Sequence, residues 1–286
     1  MGKIYIGDIM FVEIIKFIVY SISIVLISKY ILVTTLRKLA ENLNLKAKTV
    51  GNIAGYATSV PEFLTITTSS LRGLMGASIY NILSSNIINF VQYLWAIKLN
   101  NNLPKLRNKA IMINLIMVLI TIIIPIFFII CNIEINLLTI PVFIILYVLF
   151  IILNNNVHKL YLVKQDKELE KEIEEEKRWE KEKKKTKYII YLVITGIVLF
   201  IIGELLGTTL ENLCNLFGVS ENIVGILLGF ITSLPELITF FEAQKHHKRI
   251  DDDMLGVVEA TNNLLTSNML NLFLIQSIGI LIINMV

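Results

Sequence analysis

The sequence predicts an all-α integral membrane protein of about eight transmembrane helices, built as two halves that cross the bilayer in opposite directions. Three observations carry this reading: apolar runs of bilayer length, basic loops that alternate sides, and a polar phrase that occurs twice. Hydrophobic residues make up 55% of the 286, and the mean hydropathy is +0.70. A composition this apolar points to lipid as the solvent.

The apolar runs place spans at 11–33, 49–70, 75–97, 110–131, 136–153, 188–206, 222–243 and 256–284. The first is not a cleavable signal peptide, because it is long, lacks a basic leader and has no small-residue cleavage pattern. The last is long enough to tilt, or to bend near its polar middle. The charged stretch 158–187 then divides the chain into a first half, 1–157 with five spans, and a second half, 188–286 with three.

Loop charges set the orientation. Arg37, Lys38, Lys46 and Lys48 lie between spans one and two, and Lys98, Lys105, Arg107 and Lys109 between three and four. Lys245, Lys248 and Arg249 lie between seven and eight, and the largest basic set lies in 158–187. The alternate loops hold only Arg72. By the positive-inside rule the basic loops are cytoplasmic, so the N-terminus is expected outside the cell.

The stretch from Lys164 to Lys187 mixes Glu and Lys densely. Pairs such as Glu174 with Arg178 and Glu180 with Lys184 fall at i,i+4, the pattern of a solvated helix. His246, His247 and Asp251–Asp253 form a second polar cluster. It lacks the glycine and ligand spacing of a calcium loop, so a polar loop is expected there. Cys131 and Cys214 lie far apart, give no disulfide framework and no metal motif, and read as apolar filler.

The repeat is the feature that carries chemistry. Val50, Gly51, Gly55, Thr58, Ser59, Pro61, Glu62 and Thr65 recur 174 residues later as Val224, Gly225, Gly229, Thr232, Ser233, Pro235, Glu236 and Thr239. A second phrase, Asn81 to Asn89 with Ser85 and Asn86 inside it, recurs 182 residues later as Asn263 to Asn271 with Ser267 and Asn268. Four spans lie between spans two and seven, so these two cross the bilayer in opposite senses. Inverted repeats of this kind place a substrate site near the midplane, built from interrupted helices.

Pro61 and Pro235 donate no N–H, so the carbonyls of Ala57 and Ile231 lose their helical partners and the helices can kink there. Gly55 and Gly229 let another backbone approach closely. An ionised Glu62 or Glu236 at membrane depth must meet a cation, a proton or a basic group. The middle of every span lacks Lys and Arg, which removes the basic partner. Ser85 with Asn89, and Ser267 with Asn271, are i,i+4 pairs that add neutral oxygens on one helical face. All are hard oxygen donors, which suit Ca²⁺ or Na⁺ over softer metals. Ser, Thr and Asn can also serve simply to hold helices together. Glu259 lies in span eight where the first repeat has Ala77, and is expected to snorkel to the nearby aqueous loop.

These phrases resemble the α-repeats of the cation/calcium antiporter superfamily, most closely its sodium/calcium exchanger branch. The matching segments are about 50–98 and 224–275. The resemblance implies the inverted α-repeat exchanger fold in a multi-pass protein of the plasma membrane, with Ca²⁺ exchanged for Na⁺ by alternating access. By position, Glu62 and Glu236 inherit the shared Ca²⁺ and Na⁺ ligand role. Thr58 and Thr232 would offer main-chain oxygens, and Ser59, Ser233, Ser85 and Ser267 hydroxyls for flanking Na⁺. Asn89 and Asn271 would close the central site.

The sequence departs from the family pattern in three ways. Ala57 and Ile231 replace the glycine before Thr-Ser, and Ser84 and Thr266 the glycine before Ser-Asn. Asn271 stands where many exchangers carry aspartate. The family usually has ten helices while this sequence stops after the span that holds Asn271, which fits a short form, a fragment or a chain whose second half is completed by a second copy or a separate subunit, the last being the expectation. No enzymatic activity, resident cofactor or nucleic-acid partner is expected; the ligands are the transported ions. Proton or K⁺ coupling, a cation channel and a non-transporting subunit of the same fold stay open on the residues alone.

Overall fold

The computed structural model describes residues 6–35, 38, 47–131, 135–161, 181–248 and 253–285. The described chain forms eight helical rods and no strand. Helix α1 covers Ile6–Ile27 and continues through a wider π-type segment, Ser28–Val33. Helix α2 is broken into Ala47–Thr58 (α2a) and Val60–Leu71 (α2b). Helices α3, α4 and α5 cover Met75–Leu99, Lys109–Ile130 and Thr139–Tyr161. Helix α6 covers Lys181–Glu211 and ends, like α1, in a π-type segment, Asn212–Leu216. Helix α7 repeats the break of α2, as Glu221–Thr232 (α7a) and Leu234–Lys248 (α7b). Helix α8 runs over Asp253–Met269 (α8a), a π-type segment Leu270–Ile275, and Gln276–Ile283 (α8b).

The two breaks fall where the prolines require them. Ser59 and Ser233 separate the halves, each two residues before the imide nitrogen that cannot donate. The chain bridges each gap with bonds of the preceding turn, Ser59 N–H to the Gly55 carbonyl (3.2 Å) and Ser233 N–H to that of Gly229 (3.3 Å).

Packing crosses between the repeats. Helix α2a lies chiefly on α8a, and α7a chiefly on α3. Glycines allow the close approach. A Cβ on Gly55 would lie 2.8 Å from the Asn263 carbonyl oxygen, and one on Gly225 would lie 2.5 Å from that of Ala77. Gly51 faces the Glu259 carbonyl and Gly229 that of Asn81, which completes the symmetric set. A second layer, α1 against α6, packs on this core through Phe17, Ile24, Leu199, Leu206 and Leu210. The outward faces are apolar: Phe11, Ile15, Val19 and Ile22 on α1, and Val193, Ile197, Phe200 and Ile201 on α6, are all exposed. That surface suits acyl chains, so the polar core and apolar exterior are those of a membrane protein.

Six helices among the described residues are long and apolar enough to cross a membrane: α1, α4, α5, α6, α7 and α8. The expected count of eight holds for the rods, while α2 and α3 are outside that set. Both are more polar: α2 carries Lys48, Asn52, Thr58, Glu62, Thr65 and Thr68, and α3 gives apolar positions to Asn81, Asn86, Asn89 and Gln92. Helix ends also differ from the expected spans: α6 begins at Lys181 and α7 runs to Lys248, because helical structure outlasts the apolar run into charged residues. The expected ion pairs within 164–187 and the residues Asp251 and Asp252 lie outside the described side chains.

Candidate functional site

The site forms where both helix breaks meet α3 and α8. Thr58, Ser59, Glu62, Thr232, Ser233, Glu236, Ser85, Ser267, Asn89 and Asn271 are each at most 1% exposed, and Gly55 and Gly229 are buried beside them. All twelve residues singled out in the sequence therefore belong to one buried region.

Hydrogen bonds hold the frame with near two-fold regularity. Asn81 donates to the Thr65 hydroxyl (2.6 Å), and Asn263 to that of Thr239 (2.5 Å). Thr65 and Thr239 donate in turn to the main-chain carbonyls of Glu62 (3.0 Å) and Glu236 (2.9 Å). Each amide oxygen then accepts from the other repeat: Thr232 to Asn81 and Thr58 to Asn263, both at 3.5 Å. These contacts fix the main chain that carries each glutamate to the helices of both repeats.

The carboxylates themselves are treated unequally. Ser267 donates to Glu236 Oε1 at 2.9 Å, and Ser59 donates to the Ser267 hydroxyl at 3.0 Å. The symmetry mate Ser85 instead donates to the Ile82 carbonyl, and Ser233 to that of Gly229. Both Glu62 oxygens, Glu236 Oε2, Asn89 Oδ1 and Asn271 Oδ1 are buried without any protein donor. Five acceptor oxygens buried with no N–H or O–H to meet them are hard donors of the kind that can ligate a cation.

Asn271 sits in the π-type segment of α8, a distortion common at functional sites. Where the sequence suggests that the last span tilts or bends, the structure has a local π-type widening. Six framing residues were not selected from the sequence: Asn81, Asn263, Asn86, Asn268, Thr65 and Thr239. The duplication alone could have found them, since each recurs at the same offset as the candidate ligands.

Two sequence expectations are corrected. Glu259 does not snorkel to water: it is 3% exposed and its Oε2 lies 2.9 Å from Nε2 of His247, itself buried in α7b. His246 and His247 are helical, not part of a loop. Gly256 lets α8a approach α7b there, with 3.1 Å from a built Cβ to the Ala243 carbonyl, and that closure excludes the carboxylate from solvent. Among the described residues no cluster of three His, Cys, Asp or Glu forms a separate metal centre.

A helical bundle with inverted, broken repeats around buried acceptor oxygens defines a membrane carrier of cations. The family described as sodium/calcium exchanger protein matches residues 14–154 and 187–285. The chain belongs to that family, a family of cation antiporters. A solved structure of the sodium-calcium exchanger NCX_Mj, soaked with 100 mM Na⁺ and 10 mM Sr²⁺, is similar with a TM-score of 0.52 and 22% sequence identity. That match covers 96% of this chain and 83% of the other, and at this identity it establishes the shared exchanger fold. No curated protein matches the chain by sequence.

Proposed function

We propose that the protein is a secondary active antiporter that exchanges Ca²⁺ for Na⁺ across the plasma membrane by alternating access. The observation that carries this reading is the set of five buried oxygens without a protein donor, two glutamates and two asparagines deep. They are hard ligands, and the carboxylates supply the charge a divalent ion needs. Glu62 and Glu236 are the ligands shared by both ions, with Asn89 and Asn271 completing the central shell. Thr58 and Thr232 contribute main-chain oxygens freed near the helix breaks, and Ser59, Ser233, Ser85 and Ser267 hydroxyls serve flanking Na⁺. Gly55 and Gly229 keep α2a and α7a close enough for the two repeats to share one site. The basic loops face the cytoplasm and the N-terminus faces outward.

Charge arithmetic extends the reading to stoichiometry. Glu62 and Glu236 carry about −2 together, enough for one Ca²⁺ or two Na⁺, and a third Na⁺ brings an uncompensated charge into the membrane interior. An amide at 271 coordinates through oxygen but offsets no charge. Exchange is therefore two Na⁺ per Ca²⁺ and electroneutral. The test is ⁴⁵Ca²⁺ uptake into proteoliposomes under imposed Na⁺, K⁺ or H⁺ gradients, repeated across membrane potentials. Saturable uptake driven by Na⁺ alone and indifferent to potential is expected. Uptake that needs no counter-ion gradient marks a channel and contradicts antiport, and a ratio of three Na⁺ per Ca²⁺ contradicts the charge argument.

A further inference from the structure

An asparagine can turn either its oxygen or its N–H₂ toward an ion, and only the first is attractive. Something must therefore decide the orientation of Asn89 and Asn271. The answer lies on the far side of both amides, at Asn86 and Asn268, where α3 and α8 meet. Asn86 Nδ2 donates to the Asn268 main-chain carbonyl (3.2 Å), and Asn268 Nδ2 donates to that of Asn86 (3.1 Å). Asn271 Nδ2 then donates to Asn86 Oδ1 (3.3 Å), and Asn89 Nδ2 to Asn268 Oδ1 (3.2 Å). Asn89 Nδ2 also lies 3.5 Å from the Ser267 hydroxyl.

The order of this network has one solution. A main-chain carbonyl can only accept, so the amide of Asn86 must turn its N–H₂ toward Asn268 and that of Asn268 toward Asn86. Each then shows its oxygen to the neighbouring ligand amide. That oxygen can only be met by N–H₂, so Asn271 and Asn89 are turned with nitrogen outward and oxygen inward. Both inward oxygens are the buried acceptors without a protein donor. All four side chains are 0% exposed, so water does not compete for the donors.

Resting on the reading of these oxygens as Ca²⁺ ligands, we infer that Asn86 and Asn268 are positioning residues whose paired backbone contacts orient the Asn271 and Asn89 amides oxygen-inward. The same relay accounts for an amide at 271. A carboxylate there has no donor to offer Asn86 Oδ1, and turning Asn86 over sets its oxygen against the Asn268 carbonyl. The relay and a neutral residue at 271 form one unit.

The test is a pair of double-mutant cycles on the purified protein, with ⁴⁵Ca²⁺ affinity and thermal midpoint measured for each variant. Asn86→Leu removes the acceptor for Asn271 Nδ2 and weakens Ca²⁺ binding about tenfold or more, the equivalent of one lost buried hydrogen bond. In an Asn271→Leu background the same change alters affinity less than about twofold, because no amide remains to orient. Asn268→Leu with Asn89→Leu behaves the same way, and alanine replaces leucine where a variant fails to fold. Affinity losses that multiply in both cycles, or a fall in thermal midpoint with unchanged affinity, overturn the relay. A wild type that binds no Ca²⁺ sinks the proposed function instead. The relay is then judged on ¹⁵N-asparagine-labelled protein without ligand, where Asn86→Leu must shift the Asn271 side-chain amide resonance, and an unmoved resonance refutes it.

Discussion

Glu62→Gln and Glu236→Gln are each expected to reduce Na⁺-driven Ca²⁺ uptake to near background while leaving a folded protein. Glutamine keeps the shape of the side chain and one ligand oxygen but removes a unit of charge. At about 4 Å and an effective dielectric of about 20, one charge contributes on the order of 8 kcal/mol toward a divalent ion before desolvation. A net loss of only about 3 kcal/mol already weakens binding more than 100-fold. Folding survives, because a buried neutral amide is cheaper to desolvate than a carboxylate, and both positions are fully buried. The two losses differ in detail: Ser267 donates to Glu236 and leaves Glu62 without a donor, so Glu62→Gln removes the less compensated charge. Uptake close to wild type in both variants removes these residues from the site.

Gly229→Val and Gly55→Val are expected to produce the second largest effect, on assembly of the site. A Cβ at 229 would lie 2.6 Å from the Asn81 carbonyl oxygen and 2.8 Å from the Ser85 nitrogen, with the Ser84 hydroxyl closer still. A Cβ at 55 meets the Asn263 carbonyl at 2.8 Å and the Ser267 nitrogen at 3.1 Å. Neither obstacle is a flexible tip, so α7a must part from α3 and α2a from α8a. Overpacking of this kind costs at least the upper end of about 1–3 kcal/mol. It also separates the helices that present Asn81 and Ser85 from those that carry the breaks. A lower thermal midpoint in detergent together with lost Ca²⁺ uptake is the expected readout. Gly196→Ala, with nothing within 4 Å of the built Cβ, serves as the control that changes neither. Valine variants with wild-type midpoints contradict the close-packed interface.

The duplicated motif was legible because its chemistry conflicts with its setting. A proline and a carboxylate inside an apolar run are each costly, and a costly feature that occurs twice points to a site. Proline chemistry also located both helix breaks, since loss of one N–H has one structural consequence. The framing amides were harder to see. Asn86 and Asn81 look like Asn89 in sequence, and only the geometry shows that Asn86 donates to a backbone carbonyl and Asn81 to the Thr65 hydroxyl, while the Asn89 oxygen meets no donor. Glu259 was misread for a related reason. Its distance along α8 from the charged loop suggested access to water, but the contact that buries it comes from His247, 12 residues away on the neighbouring helix. Side-chain partners across a helix hairpin leave no period in the sequence.

The most direct test of the central claim is equilibrium binding of ⁴⁵Ca²⁺ to the purified protein with Na⁺ as competitor. The account predicts one Ca²⁺ per chain at the Glu62–Glu236 cluster, displaced by Na⁺ with a dependence steeper than first order because two Na⁺ replace it. It also predicts that the double variant Glu62→Gln/Glu236→Gln binds none. Ca²⁺ binding that persists in the double variant, or that Na⁺ fails to displace, contradicts the shared site.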